Sequence, residues 1–234
     1  MASVRNALLV VAKRPAAGQT KTRLIPPLSP KQAAGLYECL LRDTLDLIRR
    51  VPDVQPAIAF LPDAPQDGRA RDYFAALAPD FELLPQEGAD LGARLDNALS
   101  HTLARGYERV VIMNSDGPTL PVSSLAAAFE ELGNGADVVL GPADDGGYYL
   151  IGLKRPAPRL LREVRMSTPT VLADTLALAA EEGLRVALLP TWYDVDDVAA
   201  LERLRIELEN ARDGVAPRTR AFLERETSNV KRQT

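Results

Sequence analysis

Hydrophobic residues occur along this chain in two patterns: short unbroken apolar runs, and longer segments with apolar residues three or four positions apart. An unbroken run predicts a β-strand buried on both faces, and the spaced pattern predicts an amphipathic α-helix. The predicted strands cover residues 6–12, 56–60, 81–84, 109–113, 137–140, 148–153 and 185–189. The predicted helices cover residues 30–50, 91–104, 121–132, 168–183 and 198–212, with shorter helices around Tyr73 and near Phe222.

The order of these elements predicts the fold class. Strands that alternate with helices of ten or more residues are typical of a Rossmann-like α/β fold, in which helices cover both faces of a mainly parallel sheet in three α/β/α layers. The chain has no repeat, low-complexity linker or break in composition, so we expect one domain over residues 1–212 and a polar tail over 213–234. Ligands of such sheets bind beyond the carboxyl ends of the strands.

Composition excludes several classes of protein. Lysine and arginine (28) are slightly outnumbered by aspartate and glutamate (32), which argues against a nucleic-acid partner held by bulk charge. The single Cys39 and single His101 exclude an internal disulfide and a Cys/His zinc site. No apolar run approaches the roughly 20 residues of a membrane span, and no signal-peptide pattern occurs at the start. We therefore expect a soluble, cytoplasmic protein without a membrane partner.

A basic segment, AKRPAAGQTKTRL, follows the first predicted strand. Lysine and arginine neutralise phosphate charge, and backbone N–H groups can approach a phosphate closely at glycine. The segment matches neither the Walker loop nor the GxGxxG fingerprint. We interpret it as a binding segment for a di- or triphosphate, the alternative being a solvated basic loop. The candidate residues are Lys13, Gly18, Lys21 and Arg23.

A carboxylate follows the fourth predicted strand in the sequence NSDGP, residues 114–118. Mg²⁺ and Mn²⁺ prefer hard oxygen ligands and often use only one or two carboxylates, with substrate phosphates completing the coordination shell. We therefore predict Asp116 as a metal ligand, with Ser115 beside it in the nucleotide site. The alternative is an Asx-type turn, since Asp-Gly is a common turn pair.

A third segment, GPADDGGYYLIGL, places two aspartates beside two glycines. Glycine allows a ligand to approach the backbone, and carboxylates next to it suit sugar hydroxyls or a second substrate. A simple hairpin turn is the alternative. The candidates are Asp144 and Asp145 for the acceptor or sugar, and Gly146 and Gly147 for the cofactor.

Three aspartates precede the helix predicted at residues 198–212. One of them can cap that helix, but a cap needs only one. Another could supply the second carboxylate of the metal site, and we predict Asp196 for this role, with Asp194 the next choice.

Two weaker signals lie at helix starts. The loop GADLGAR places Asp90 and Arg94 where they could lie over a nucleotide. The segment MSTPT, residues 166–170, is better explained as an ordinary helix start.

These segments, in this order, resemble the nucleotide-diphospho-sugar transferase superfamily, which has the GT-A fold. Within it they look most like the bacterial glycosyltransferases of the arsenosugar-biosynthesis type, and the resemblance spans residues 5–205. The KTRL sequence also resembles the phosphate-binding loop of phospholactate guanylyltransferases. The resemblance implies phosphate contacts at Lys13, Lys21 and Arg23, and metal contacts at Asp116 and Asp196.

The resemblance implies a Mg²⁺- or Mn²⁺-dependent glycosyltransferase that uses a nucleotide-sugar donor and a small-molecule acceptor. Lys21, Arg23, Asp116 and Asp145 would then be its catalytic residues. The basic segment taken alone favours nucleotidyl transfer, because it offers more cations than a diphosphate needs. In that reaction a nucleoside triphosphate reacts with a phosphorylated small molecule and pyrophosphate leaves. A non-catalytic nucleotide-binding domain is a third reading, and the oligomeric state, a homodimer included, stays open.

Overall fold

A computed structural model describes residues 5–64 and 68–231, with side chains to residue 226. The strands in this part are β1 (Asn6–Lys13), β2 (Val54–Leu61), β3 (Glu82–Pro85), β4 (Arg109–Met113), β5 (Val138–Pro142), β6 (Tyr148–Leu153) and β7 (Val186–Leu188). The helices are α1 (Pro30–Ile48), α2 (Arg69–Leu77), α3 (Leu91–Ala104), α4 (Val122–Gly133), α5 (Arg159–Arg162), α6 (Val171–Glu181), α7 (Val198–Asn210) and α8 (Pro217–Lys231), and a 3₁₀ helix covers Thr22–Leu24.

The strands form one sheet in the order β3-β2-β1-β4-β6-β5-β7. Every neighbouring pair is parallel except the two pairs that involve β6, which runs antiparallel to β4 and β5. The predicted α/β class with a mainly parallel sheet is therefore confirmed. The antiparallel strand follows from the short connection between β5 and β6, since a parallel neighbour would need a long crossover.

Both faces of the sheet are covered, which explains why its strands are unbroken apolar runs. On one face, Ile112 of β4 belongs to a buried cluster that also contains Leu99 of α3. On the other face, a Cβ added at Gly152 would lie 3.0 Å from Val111 and 3.2 Å from Leu132 of α4. Successive residues of a strand point to opposite faces, so Val111 and Ile112 serve the two layers in turn.

Helix boundaries agree with the sequence where capping residues mark them. The Ser29 hydroxyl accepts a hydrogen bond from Gln32 N, and the Gln32 side chain accepts one from Ser29 N, so the predicted start of α1 is a capping box. The helix α6 begins at Val171, three residues later than predicted. The four-residue α5 was not predicted, because one turn is too short to show a helical period.

The segment after residue 212 contains a longer helix than expected. The short helix predicted near Phe222 is the fifteen-residue α8. Its start is held by the buried carboxylate of Asp43, which accepts hydrogen bonds from the backbone N–H groups of Arg218 and Thr219. The domain bounds 1–212 and 213–234 stay a prediction, and residues 1–4, 65–67 and 232–234 lie outside the described residues.

Residue contacts divide the chain into two compact units. The sheet unit comprises Met1–Arg14, Ile48–Asn114 and Pro121–Tyr193, and the helical unit comprises Pro15–Leu47, Ser115–Leu120 and Asp194–Thr234. The helical unit thus collects the segments that follow β1 and β4 in the chain, together with the segment that leads into α7. No helix in the described ranges combines the length and the apolar character that crossing a bilayer requires.

Candidate active site

The basic segment is anchored in the helical unit by two buried residues on either side of Lys21. Thr20 is fully buried and its hydroxyl donates to the carbonyl of Ala16 at 2.9 Å, while Leu24 is buried at the end of the 3₁₀ helix. Lys21 itself has a left-handed backbone with φ 50° and ψ 43°. A non-glycine residue in this conformation costs of order 1–2 kcal/mol and persists where the surroundings fix it, which is frequent at functional sites.

The side chain of Lys21 lies between two aspartates of the same unit. Its Nζ is 2.9 Å from Asp116 Oδ2 and 2.7 Å from Asp196 Oδ1. The Lys21 side chain is 5% exposed, compared with 22% for Asp116 and 47% for Asp196. Burial lowers the pKa of Lys21, but the two carboxylates raise it by more, so the pKa lies above its ordinary value. The cluster therefore holds one positive and two negative charges.

A backbone hydrogen bond joins the two carboxylate segments. Val195 N donates to the carbonyl of Asp116 at 3.2 Å. The next aspartate in the chain, Asp197, caps α7 by accepting a hydrogen bond from Ala200 N at 2.8 Å. Asp197 is thus the N-cap of α7, whereas its neighbour Asp196 points to the Lys21 ammonium group.

Two residues of α1 support this cluster, and the sequence analysis missed both. The Tyr37 hydroxyl lies 3.0 Å from the Ser115 hydroxyl in a buried contact, and its ring centroid lies 5.9 Å from Lys21 Nζ. Thr44 donates to the Ser115 carbonyl at 3.3 Å. Ser115 also lies 3.5 Å from Asp116 Oδ1. The available signal was the presence of polar Tyr37 and Thr44 within the apolar stripe of a predicted helix, where a buried polar group needs a partner.

The other candidates of the basic segment are more open. Arg23 is exposed on the 3₁₀ helix, and no hydrogen bond or ion pair to another described residue holds its side chain. Gly18 has a φ of +73° and open space where a Cβ would be. Lys13 is exposed at the end of β1 in the sheet unit. Their ligand contacts stay predictions.

The aspartate and glycine pairs after β5 serve local structure in the sheet unit. Asp145 Oδ1 accepts a hydrogen bond from Gly147 N at 2.9 Å, as in an Asx turn. A Cβ at Gly146, where φ is +87°, would lie 2.0 Å from the carbonyl oxygen of Pro169. Glycine is thus required here by the approach of the MSTPT segment. Asp144 is exposed next to this turn, and the predicted ligand roles of the four residues stay predictions.

The loop before α3 also has a structural explanation within the sheet unit. Asp90 caps the helix by accepting a hydrogen bond from Ala93 N at 2.8 Å. Arg94 Nε donates to the Gly88 carbonyl at 3.2 Å. Their predicted positions over a nucleotide are not tested by these contacts.

The chemistry of the cluster suits a divalent cation. Asp116 and Asp196 present hard carboxylate oxygens to one point, and a cation, the Lys21 ammonium, already lies there. No group of three or more histidine, cysteine, aspartate or glutamate side chains suited to a metal occurs among the described residues. Mg²⁺ commonly takes one or two carboxylates and completes its shell with water and phosphate oxygens, so the donor set fits Mg²⁺ or Mn²⁺ bound together with a phosphate.

Known proteins are similar to this chain in sequence and in fold. The model of a family described as "Uncharacterized protein conserved in bacteria (DUF2064)" matches residues 44–168. A 2-phospho-L-lactate guanylyltransferase from Methanothermobacter thermautotrophicus is 30% identical over 185 residues, which are 79% of this chain and 76% of the relative.

Solved structures agree with these matches. A crystal structure from Desulfovibrio desulfuricans G20, provisionally described as a nucleotide-diphospho-sugar transferase, has a TM-score of 0.87 and 32% identity, covering 98% of this chain and 97% of the other. The manganese complex of Rv0371c from Mycobacterium tuberculosis H37Rv has a TM-score of 0.51 and 17% identity, covering 88% of this chain and 100% of the other, and shows a shared fold. The predicted superfamily, fold and transferase class are confirmed.

Proposed function

The chain belongs to the DUF2064 family and is a homologue of 2-phospho-L-lactate guanylyltransferase, and on this premise we propose that it is a metal-dependent nucleotidyltransferase. Its substrates would be a nucleoside triphosphate and a phosphorylated small molecule. The main support for the proposal is the cluster of Lys21, Asp116 and Asp196. It combines a lysine, which can bind phosphate, with two carboxylates, which can bind a divalent metal ion.

In the proposed reaction, a phosphate oxygen of the acceptor attacks the α-phosphorus of the triphosphate. The bond from this phosphorus to the oxygen that bridges to the β-phosphate breaks, and pyrophosphate leaves with the electron pair. Positioning and neutralisation of charge supply most of the catalysis in such reactions. Lys21 and Arg23 would bind phosphate oxygens, and Lys13 and the backbone at Gly18 are further candidates for phosphate contact.

Asp116 and Asp196 would hold Mg²⁺ or Mn²⁺, and the ion would neutralise charge on the phosphates. Ser115 is buried against Tyr37, which suits support of Asp116 better than direct contact with a nucleotide. Asp144 and Asp145 remain our candidates for contact with the acceptor, Gly146 and Gly147 for close backbone approach, and Asp90 and Arg94 for the nucleotide.

Nucleotidyl transfer is preferred over glycosyl transfer for two reasons. The relative with 30% identity is named a guanylyltransferase. The basic segment also contains four lysine and arginine residues, which favours a triphosphate over a diphosphate, although Arg14 is already paired with Asp63 at 2.8 Å. The second candidate, glycosyl transfer from a nucleotide-sugar, is favoured by the 32% identical crystal structure, which is provisionally described as a nucleotide-diphospho-sugar transferase.

Product analysis tests the proposal. The purified protein is incubated with each of the four common nucleoside triphosphates, Mg²⁺ or Mn²⁺, and phosphorylated hydroxy acids that include 2-phospho-L-lactate, and pyrophosphate is measured. In a parallel series, nucleotide-sugars replace the triphosphates and nucleoside diphosphate is measured. Acceptor-dependent pyrophosphate supports the proposal, whereas diphosphate alone would replace it by glycosyl transfer. Nucleotide binding without either product would indicate a non-catalytic binding domain.

A further inference from the structure

The proposed function places the Lys21 ammonium on a phosphate, whereas the structure places it on two carboxylates, and it cannot make both sets of contacts at the same time. As a phosphate-binding residue, it must place its ammonium group on the triphosphate. In the structure that group lies within 3 Å of both carboxylates proposed for the metal, and its side chain is 5% exposed. A divalent ion at those carboxylates would lie next to a buried ammonium, and like charges at such a separation repel strongly. The free protein therefore presents a metal site that its own lysine already fills.

We propose that Lys21 is an internal counter-ion that excludes a free divalent cation from Asp116 and Asp196 until a polyphosphate draws its ammonium away. The inference rests on the proposed function and adds a selection rule to it, namely that metal and polyphosphate bind together and either one binds poorly alone. Lys21 is then a specificity-determining residue that makes the site accept a metal–polyphosphate complex and reject the bare ion.

The exchange balances in charge. Before it, the two carboxylates share one ammonium and the cluster carries a net charge of −1. After it, the divalent cation neutralises both carboxylates, and the ammonium pairs with a phosphate oxygen. No buried group is left without an opposite charge, which matters because an unpaired buried charge strongly destabilises a folded protein.

The surroundings of Lys21 suit such an exchange. Arg23 lies two residues away, in the short helix that begins directly after Lys21. It is exposed and outside the ion-pair cluster, so a phosphate can contact it without disturbing the carboxylates. The backbone of Lys21 is fixed by its buried neighbours Thr20 and Leu24, while lysine has a flexible four-carbon stem. The ammonium can thus change partners by rotation of its side chain alone.

The decisive measurement is the affinity for Mn²⁺ alone, followed by electron paramagnetic resonance of the free ion. We expect Lys21→Gln to bind Mn²⁺ about tenfold or more tightly than the wild type, a usual size for coupling between two sites. Arg23→Gln is the matched control, because it removes a cation of the same segment that does not contact the carboxylates, and it should keep the wild-type Mn²⁺ affinity. Lys21→Arg keeps the charge and should also keep Mn²⁺ binding weak.

A second measurement needs no variant and covers the case in which Lys21→Gln does not fold. The dissociation constant of inorganic tripolyphosphate for the wild type is measured by calorimetry with and without Mg²⁺, and we expect at least about tenfold tighter binding with the metal. Equal values would overturn the proposal. So would a Mn²⁺ affinity of folded Lys21→Gln that equals the wild type, or one that rises no more than in Arg23→Gln. Neither assay uses an acceptor or a product, so failure of the proposed reaction would be recognised separately.

Discussion

Two regions of this molecule contain aspartate beside glycine directly after a strand, yet the structure uses them differently. After β4, Asp116 turns its carboxylate to Lys21 and so joins a cluster with Asp196. After β5, Asp145 turns its carboxylate to the backbone of Gly147 and closes a turn. Both segments read alike as short polar stretches. The difference is the buried Lys21 side chain, which comes from a distant part of the chain and lies next to Asp116. A buried charge is unfavourable unless it is paired with an opposite charge, so Lys21 requires the carboxylate.

The same contrast occurs among aspartates that precede helices. Asp90 and Asp197 accept a backbone N–H three residues later, and each satisfies the start of its helix. Asp196, adjacent to one of these caps, is directed to Lys21 instead. An acidic residue at a helix start is therefore weak support for a ligand site until its side chain is shown to point away from the helix.

The largest expected effect is a loss of reaction rate that distinguishes the two aspartates after β4 and β5. Asp116→Asn should lower the rate of the proposed transfer by about 10³-fold, since a metal stabilises several kcal/mol of developing charge. Asp145→Asn should leave metal and nucleotide affinity at wild-type values and act only on the KM for the acceptor. Steady-state kinetics with titrated Mg²⁺ measures both. Equal losses of rate in the two variants would remove the distinction between the regions.

The next effect concerns stability at two glycines with positive φ. Gly146→Ala should lower the free energy of unfolding by about 3 kcal/mol, because a strained backbone is combined with a clash against the Pro169 carbonyl. Gly18→Ala, which has a similar φ and open space around it, should cost only about 1–2 kcal/mol. Urea denaturation measures both. If Gly146→Ala lowers the free energy of unfolding no more than Gly18→Ala does, then contact with Pro169 is not the reason that position 146 requires glycine.

A smaller effect on triphosphate affinity is expected to distinguish two arginines that the sequence predicts near a nucleotide. Arg23→Ala should weaken binding of a nucleoside triphosphate about tenfold and leave binding of the nucleoside unchanged, because a charge-assisted contact to phosphate is lost. Arg94→Ala, which removes a donor to the Gly88 carbonyl, should change triphosphate affinity less. Calorimetric titration with the nucleoside triphosphate and with the nucleoside measures both affinities. A parallel loss of nucleoside binding would place Arg23 outside the phosphate site.

The smallest effect tests the support of the cluster by α1. Tyr37→Phe removes the hydroxyl that pairs with Ser115 but keeps the ring near Lys21, and we expect Mg²⁺-dependent triphosphate affinity to fall about fivefold, or about 1 kcal/mol. Tyr37→Leu removes the ring as well and should lose more. Triphosphate titration at fixed Mg²⁺ gives the values. If Tyr37→Phe lowers the free energy of unfolding but leaves the triphosphate affinity unchanged, the role of Tyr37 is structural only.

The sequence by itself determined the elements and their order. Apolar runs and helical spacing predicted the strands, the long helices and the mainly parallel sheet, because the periods of strand and helix are local properties of the chain. It also identified Lys21, Asp116 and Asp196 as chemically suggestive residues, since each follows a strand in a polar segment. The fifteen-residue α8 and the antiparallel β6 were less evident, because α8 contains few apolar residues and strand direction depends on pairing.

Only the tertiary structure decided which of the suggestive residues meet. The contact of Lys21 with Asp196 joins positions 175 residues apart, and Tyr37 reaches Ser115 across 78 residues. The sequence also gave no means to separate Asp116 from the turn-forming Asp145, or Asp196 from the cap Asp197. A hydrogen bond and a desolvated charge pair depend on distance and burial, which the folded chain sets and local sequence does not encode.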